Sequence, residues 1–487
     1  MKLTSLSLSL AILLFVKTNT NAQSRNAEVD DKIKQVENNL IPDIQTGNDG
    51  PTNITDRMAM YKVHGVSIAV IHNYKIEWAK GYGFADDSLK IPVTTQTLFQ
   101  AASISKSINS VGVMKLVQDK KIDLYADINT YLTTWRFPYD SVSKNKKISV
   151  ANLLSHTAGL TVHGFGGYEK GEAIPTITQI LDGKKPANSD AIRSMFEPGI
   201  RSEYSGGGIT ISQLIVMDVT RQPYDKFMYD NVLKPFGMTS STYAQPPVNV
   251  KSELLATAYR VDGSAIKGKY HIYPEQAAAG LWTNPTDLSR YIIETQLALQ
   301  GKSNKVLNQQ FTKLRLTPYI DKNAALGVFI DSLQDGTKYF GHGGANEGFR
   351  CQYYGSLEGG NGVVVMVNSD HGGIMNEIVN SVAKVYGFTG LNRSKVRKVV
   401  AVADSVLQSY TGKYELAPNF ILTITREGNN LFGQATGQGK VQLFPETQSK
   451  FFLKVVDAQI EFIKNDKGII TKATLFQNGT RDAKKIE

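Results

Sequence analysis

The chain has 487 residues, 41% of them hydrophobic and 20% charged, so it can bury a real core and is not a disordered, collagen-like or mucin-like sequence. The formal charge of +10 is spread along the chain without a concentrated basic run, which reads as a solubility feature and argues against a nucleic-acid partner. A single cysteine, Cys351, excludes an internal disulfide and a thiolate cluster for zinc or iron–sulfur.

Met1-Lys2 is a short basic start, Leu3–Val16 an apolar run broken by Thr4, Ser5, Ser7 and Ser9, and Thr20-Asn21-Ala22 a small-x-small cleavage site. This pattern predicts a signal peptide over residues 1–22 and an exported protein, periplasmic or secreted. The run is shorter than the roughly 20 apolar residues that cross a bilayer, and no membrane span is expected after cleavage. A weak helical pattern follows at Val29, Ile33, Val36 and Leu40. Val66–Ile71 and Lys75–Ala79 read as a hairpin joined by His72-Asn73-Tyr74. Next comes a helix with Ile108, Val111, Met114 and Val117 on one face and Lys120 and Lys121 near its C-terminus, where cations are favoured.

From about Val150 to Leu299 helical stretches (Ile209–Val219, Asp287–Leu299) alternate with Gly/Pro-rich loops, and strands return at Ala324–Ile330, Gly348–Tyr354 and Gly362–Asn368 before a last helix over Ile374–Tyr386. Strands at both ends with helices between them predict one sheet assembled from distant segments, with a helical subdomain inserted. The character changes near residue 390. Residues 391–404 read as a charged linker, and from 405 to 487 short strands (Phe420–Thr425, Lys450–Val456, Gln459–Lys464, Ile469–Phe476) alternate with turns such as Asn478-Gly479. That is the pattern of a small all-β sandwich or barrel.

Three elements carry possible chemistry. Ser103-Ile104-Ser105-Lys106 is a Ser-x-x-Lys pair whose i, i+3 spacing places both side chains on one helical face. A serine hydroxyl needs a base to become a nucleophile, and an unprotonated lysine can be that base. The same spacing recurs at Ser141/Lys144, Ser143/Lys146, Ser264/Lys267 and Ser381/Lys384, so spacing alone says little. Tyr204-Ser205-Gly206 follows Pro198-Gly199 and precedes a helix; a tyrosine on such a loop can relay protons. Gly341-His342-Gly343-Gly344-Ala345 reads as a turn leading into a strand, where glycines let a ligand approach the backbone and expose N–H donors.

The order of these elements resembles the family of active-site serine hydrolases that includes class C β-lactamases, low-molecular-weight penicillin-binding carboxypeptidases, D-amino-acid peptidases and related esterases. Leu153-Leu154-Ser155-His156-Thr157-Ala158-Gly159-Leu160, Lys80–Asp86, Ala279-Gly280-Leu281-Trp282 and Thr286-Asp287-Leu288 are similar to further family signatures. The resemblance implies an α/β fold, a mixed sheet flanked by helices with an all-helical subdomain, over residues 23–390. It also implies a lipocalin-like β-barrel over 405–487.

By that resemblance Ser103 is the acylated nucleophile and Lys106 shares proton transfer with Tyr204. The backbone N–H groups of Ser103 and Ala345 form the oxyanion hole, and His342, Gly343 and Gly344 belong to the substrate-binding strand. No cofactor or metal is implied. The substrate would be a β-lactam, a peptidoglycan-like D-amino-acid peptide or a small ester. Gly206 stands where many members have Asn, and His342 where many have Lys, which leaves open a carboxylesterase or an inactive binding or sensing protein on the same fold. An ordinary imidazole pKa near 6.5 at His342 predicts an activity transition between about pH 5 and 8. His156 is expected to make a structural hydrogen bond.

Overall fold

A computed structural model describes residues 27–47, 49–333 and 335–487; the expected signal peptide lies outside the described residues. The chain forms two compact units that are not contiguous blocks. One comprises the described residues through Gln35, Ile54–Met375 and Tyr386–Gly390; the other comprises Val36–Asn53, Asn376–Val385 and Leu391–Glu487.

The first unit is built on a seven-stranded sheet. Its strands in chain order are β1 (Gly65–His72), β2 (Lys75–Asp86), β3 (Ile91–Pro92), β4 (Phe329–Ser332), β5 (Lys338–Asn346), β6 (Phe349–Ser356) and β7 (Gly362–Val367), arranged β3-β2-β1-β7-β6-β5-β4 with every neighbouring pair antiparallel. The middle strands are Val/Ile-rich because both faces are covered: β7 is buried at every position and β1 at all but His72, as expected for strands with no solvated face. Helix α1 (Ser105–Gln118) is buried nearly all round, including Ser105, Ser107, Asn109 and Ser110. It is therefore a central helix rather than the amphipathic surface helix that the spacing of Ile108, Val111 and Met114 suggests.

Several of its polar groups are matched by side chains from other elements. Asn109 Nδ2 donates to Ser212 Oγ (3.0 Å) and Asn109 Oδ1 accepts from Tyr224 OH (2.9 Å). The buried Arg315 donates to Ser110 Oγ (2.7 Å), the Ser107 carbonyl (2.9 Å) and Tyr291 OH (2.6 Å). Helices α2 (Gly206–Thr220) and α3 (Pro285–Leu299) begin at side-chain caps, Ser205 Oγ accepting from Gly208 N–H (2.9 Å) and Asn284 Oδ1 from Asp287 N–H (2.9 Å). Such caps satisfy amides that the first turn leaves orphaned.

In the second unit, strands between Gly412 and Lys485 form a closed antiparallel barrel in sequential order, sealed where Tyr414 pairs with Lys485. Closure removes free strand edges. The interior is filled by Tyr410, Tyr414, Leu422, Ile424, Leu431, Phe451 and Phe462 among others, with Tyr410 stacked on Phe462 at 4.3 Å. The same unit holds a short parallel pair, Ile44–Thr46 with Lys395–Arg397. Asp43 accepts from Asn376 Nδ2 (2.8 Å) and Asn380 Nδ2 (3.0 Å), and Asn380 Oδ1 accepts from Arg393 N–H (2.9 Å). Three distant chain stretches thus meet around one aspartate and one asparagine.

Candidate active site

The turn that carries Ser103 is held rigidly. Ala101 N–H donates to the Leu281 carbonyl (2.8 Å), the Cys351 thiol to the Ala101 carbonyl (3.1 Å), Leu281 N–H to Ser105 Oγ (3.0 Å) and Tyr243 OH to the Ser105 carbonyl (2.7 Å). Ala102, fully buried, has φ +47°, a conformation an alanine keeps only when its surroundings impose it. That kink sits at the 3-10 turn Ala102–Ile104 from which α1 continues, and it leaves Ser103 half-buried while its neighbours Ala102 and Ile104 are fully covered.

Lys106 is only 2% exposed. Its Nζ donates to Ser103 Oγ at 2.9 Å and to the Ala278 carbonyl at 2.7 Å. The Tyr204 ring centre lies 5.0 Å from the same Nζ. Tyr204, distant in sequence, therefore converges on the Ser103–Lys106 pair, and the amine is close enough to take the serine proton. The four competing Ser/Lys pairs show no comparable contact: Lys144 and Lys146 face Glu197 and Lys267 faces Glu169, while Ser381 Oγ donates to the Val36 and Asn39 carbonyls.

The His-Gly-Gly element is not a turn leading into a strand. Residues 341–345 lie inside β5, paired with β6 from His342↔Tyr353 to Ala345↔Arg350. Gly344 explains the glycines: a Cβ there would fall against the Ala101 carbonyl oxygen and the Cys351 sulfur. The strand can approach the Ser103 turn this closely only without a side chain at 344.

His342 is 7% exposed, and its ring lies 5.2 Å from Phe329 and 6.1 Å from Tyr204. Nδ1 sits 2.6 Å from the Gly343 carbonyl, which assigns the proton to Nδ1 and leaves Nε2 a bare acceptor; that atom is buried with no partner among the described residues. Burial pushes the imidazole down to about 3, the Lys106 charge adds to this, and the hydrogen bond to Gly343 opposes it. The expected transition between pH 5 and 8 is thereby moved out of that window, because a buried imidazole beside a cation resists protonation.

His156 makes the expected structural hydrogen bond, its Nδ1 accepting from Ser205 N–H (3.2 Å), and its ring packs 4.3 Å from Tyr204. Burial, followed by the Lys106 charge, holds it well below the ordinary imidazole range.

Two participants carried no sequence signal. The Ala278 carbonyl that accepts from Lys106 lies on a short helix, Gln276–Ala279, and a backbone acceptor has no residue signature. Glu275, just before that helix, is fully buried with neither oxygen partnered among the described residues, and burial pushes its carboxyl up to about 7. The second participant is Phe329, whose ring lies 6.4 Å from that of Tyr204. Among the described residues no group of three His, Cys, Asp or Glu side chains could hold a metal ion, and no helix is long and apolar enough to cross a membrane.

The sequence profile of the family described as Beta-lactamase matches residues 52–383, and a domain of unknown function, DUF3471, matches 396–487. Curated relatives include Protein flp of Staphylococcus aureus (strain N315), 26% identical over 264 residues, 52% of this chain and 50% of that protein. Another is penicillin-binding protein 4* of Bacillus subtilis (strain 168), 21% identical over 400 residues, 78% of this chain and 86% of that protein. The chain thus spans about half the length of Protein flp.

Among solved structures, the octameric penicillin-binding protein homologue from Pyrococcus abyssi superposes with a TM-score of 0.61 at 21% identity, covering 88% of this chain and 98% of that one. The D-amino acid amidase from Ochrobactrum anthropi SV3, complexed with L-phenylalanine, gives 0.57 at 20% identity, covering 74% and 99%. At these identities the structural likenesses bear on the fold.

Proposed function

The chain belongs to the beta-lactamase family, and on that premise we propose that it is an exported serine hydrolase that cleaves an amide or ester through a Ser103 acyl-enzyme. The observation that carries this reading is the 2.9 Å contact between the buried Lys106 amine and the half-buried Ser103 hydroxyl.

In the proposed cycle Lys106 first releases the ammonium proton whose charge His342 and His156 feel in the resting site, and the amine then takes the Ser103 proton as Oγ attacks the substrate carbonyl. The negative charge on the carbonyl oxygen is met by the backbone N–H groups of Ser103 and Ala345, a term worth about 10²–10³ in rate per donor in other hydrolases. The proton passes through Lys106 and Tyr204 to the leaving amine or alcohol, and the acyl–serine ester remains. Water, deprotonated by the same pair, attacks this ester and restores Ser103. The segment 1–22 acts as the export signal, and residues 23–390 and 405–487 act as catalytic and accessory domains joined by 391–404. The β-domain has a packing or substrate-docking role.

The test is covalent labelling. A fluorophosphonate and a fluorescent penicillin are applied to the protein and to Ser103→Ala, with the adduct located by mass spectrometry. Labelling of the native serine that vanishes in Ser103→Ala is expected. Labelling retained by the variant rejects the assignment, and a native protein inert to both reagents and to p-nitrophenyl esters is a binding protein on this fold.

A further inference from the structure

The wall beside Tyr204 is unusually constrained. Helix α2 starts at Gly206, and the first amides of that turn are taken by the segment running before it: Gly206 N–H donates to the His163 carbonyl (3.2 Å) and Gly207 N–H to the Val162 carbonyl (3.0 Å). Ser205 Oγ donates to the Thr161 carbonyl (3.0 Å), and His163 Nδ1 bonds the Tyr204 carbonyl. Further along, the Gly166 carbonyl accepts from His271 Nδ1 (3.0 Å) and Tyr273 OH (3.3 Å). Phe165 is thus tethered on both sides, and its ring falls where a side chain at 206 would stand: a Cβ on Gly206 would lie 3.1 Å from Phe165 Cε2 and 3.2 Å from the His163 oxygen.

Backbone strain points to the same place. Among the described residues two β-branched side chains have positive φ, Val162 (+65°) and Ile320 (+67°). A β-branched residue in that region is a genuine outlier, and such strain gathers at ligand clamps and active sites. Val162 precedes the Phe165 tether. Ile320 reaches Gly199, where a Cβ would be 3.7 Å from its Cδ1, on the segment leading to Tyr204. Ile320 is 50% and Ile200 51% exposed, and the charges of that segment, Arg201 and Glu203, face each other at 3.9 Å. On the β5 side, His342 donates its Nδ1–H to the Gly343 carbonyl and offers only a bare Nε2.

We propose that Phe165 is a specificity-determining residue that fits the Ser103 site to uncharged esters with a short apolar acyl chain, in preference to acyl donors carrying an amide or a carboxylate beside the scissile carbonyl. This rests on Ser103 being the acylated nucleophile. An apolar chain against the Phe165 ring gains by leaving water. An amide or carboxylate there loses its water and meets no partner.

The test compares kcat/KM for p-nitrophenyl acetate and butyrate and for nitrocefin, which bears both an amide and a carboxylate, in the native protein, Phe165→Ala and Phe165→Leu. The native protein prefers butyrate to acetate by about tenfold or more, the scale of selectivity apolar pockets reach. Phe165→Ala brings the ratio near one, mainly through KM, and Phe165→Leu restores most of it. Nitrocefin runs about 100-fold or more below butyrate.

A butyrate-to-acetate ratio indifferent to both substitutions, or nitrocefin turned over as well as butyrate, overturns the proposal. If Phe165→Ala does not fold, Phe165→Leu and the native nitrocefin comparison decide. Fluorophosphonate labelling of Ser103 separates the two levels: labelling with an indifferent ratio sinks only the role of Phe165, whereas absence of labelling sinks the hydrolase reading and this inference with it.

Discussion

His342 makes acid stability a direct reporter of the site. In the unfolded chain its imidazole titrates near 6.5, and in the folded protein it is pushed down to about 3 by burial and then by the Lys106 charge. A base with a depressed folded-state pKa takes up its proton in the unfolded chain first. Stability present above about pH 6.5 is therefore lost progressively as pH falls toward 3. At about 1.4 kcal/mol per pH unit, lowering the pH from 7 to 4 costs the native state about 3 kcal/mol through this one residue.

His342→Gln keeps a neutral side chain able to donate to the Gly343 carbonyl and removes the titration. Urea unfolding followed by tryptophan fluorescence measures the effect, since Trp78, Trp135 and Trp282 all belong to the first unit. The native protein should lose about 3 kcal/mol more than His342→Gln between pH 7 and 4, and the kcat/KM profile should show no step from His342 between pH 5 and 8. His156, held low by burial, then by the Lys106 charge and then by His342, adds an acid loss to both proteins that His342→Gln lessens only through the last of these causes. If His342→Gln is as acid-sensitive as the native chain, or if a His342 step appears near pH 6.5, the buried neutral imidazole is refuted.

The remaining expectations are quicker to check. Gly344→Ala pushes a methyl group against the Ala101 carbonyl and the Cys351 sulfur; overpacking of this kind costs about 1–3 kcal/mol, so Tm should fall and fluorophosphonate labelling of Ser103 should slow at least about tenfold. Normal labelling would show that β5 need not approach the nucleophile turn so closely. Cys351 is 1% exposed and burial pushes its thiol up. It should ignore Ellman's reagent in the native protein and react fully in denaturant; rapid native reaction would contradict the packing behind Ser103.

Local sequence pattern located much of this architecture. The first strand of the Gly65–Asp86 hairpin and the central β7 stand out as nearly continuous apolar runs, α1 and α3 as long helical stretches, and Asn478-Gly479 marks a barrel turn. It failed where tertiary packing overrides propensity. Lys338–Asn346 contains three glycines in YFGHGGAN, a composition that reads as loop, yet it is a strand because it must lie against the Ser103 turn. In the barrel, Thr480–Lys485 shows one buried residue, Ala483, too little apolar alternation to announce a strand. Ser103 and Lys106 were legible because their spacing is local and recurs within a recognisable order. The Ala278 carbonyl was not, because a backbone acceptor has no residue signature and what places it is the path of a distant segment.

The meeting of three chain stretches around Asp43 and Asn380 has a bearing on how this protein can be cut. A scission in the 391–394 stretch would sever the covalent link without freeing the piece beyond it: Lys395–Arg397 would stay zipped to Ile44–Thr46, with the Lys395 amide still bonded to the Asp43 carbonyl at 2.8 Å. A gene shortened at the same point would instead leave the Ile44–Thr46 strand without its mate. Proteolytic nicking and genetic truncation at one position therefore yield different objects, the first a two-fragment particle and the second a protein with an open seam.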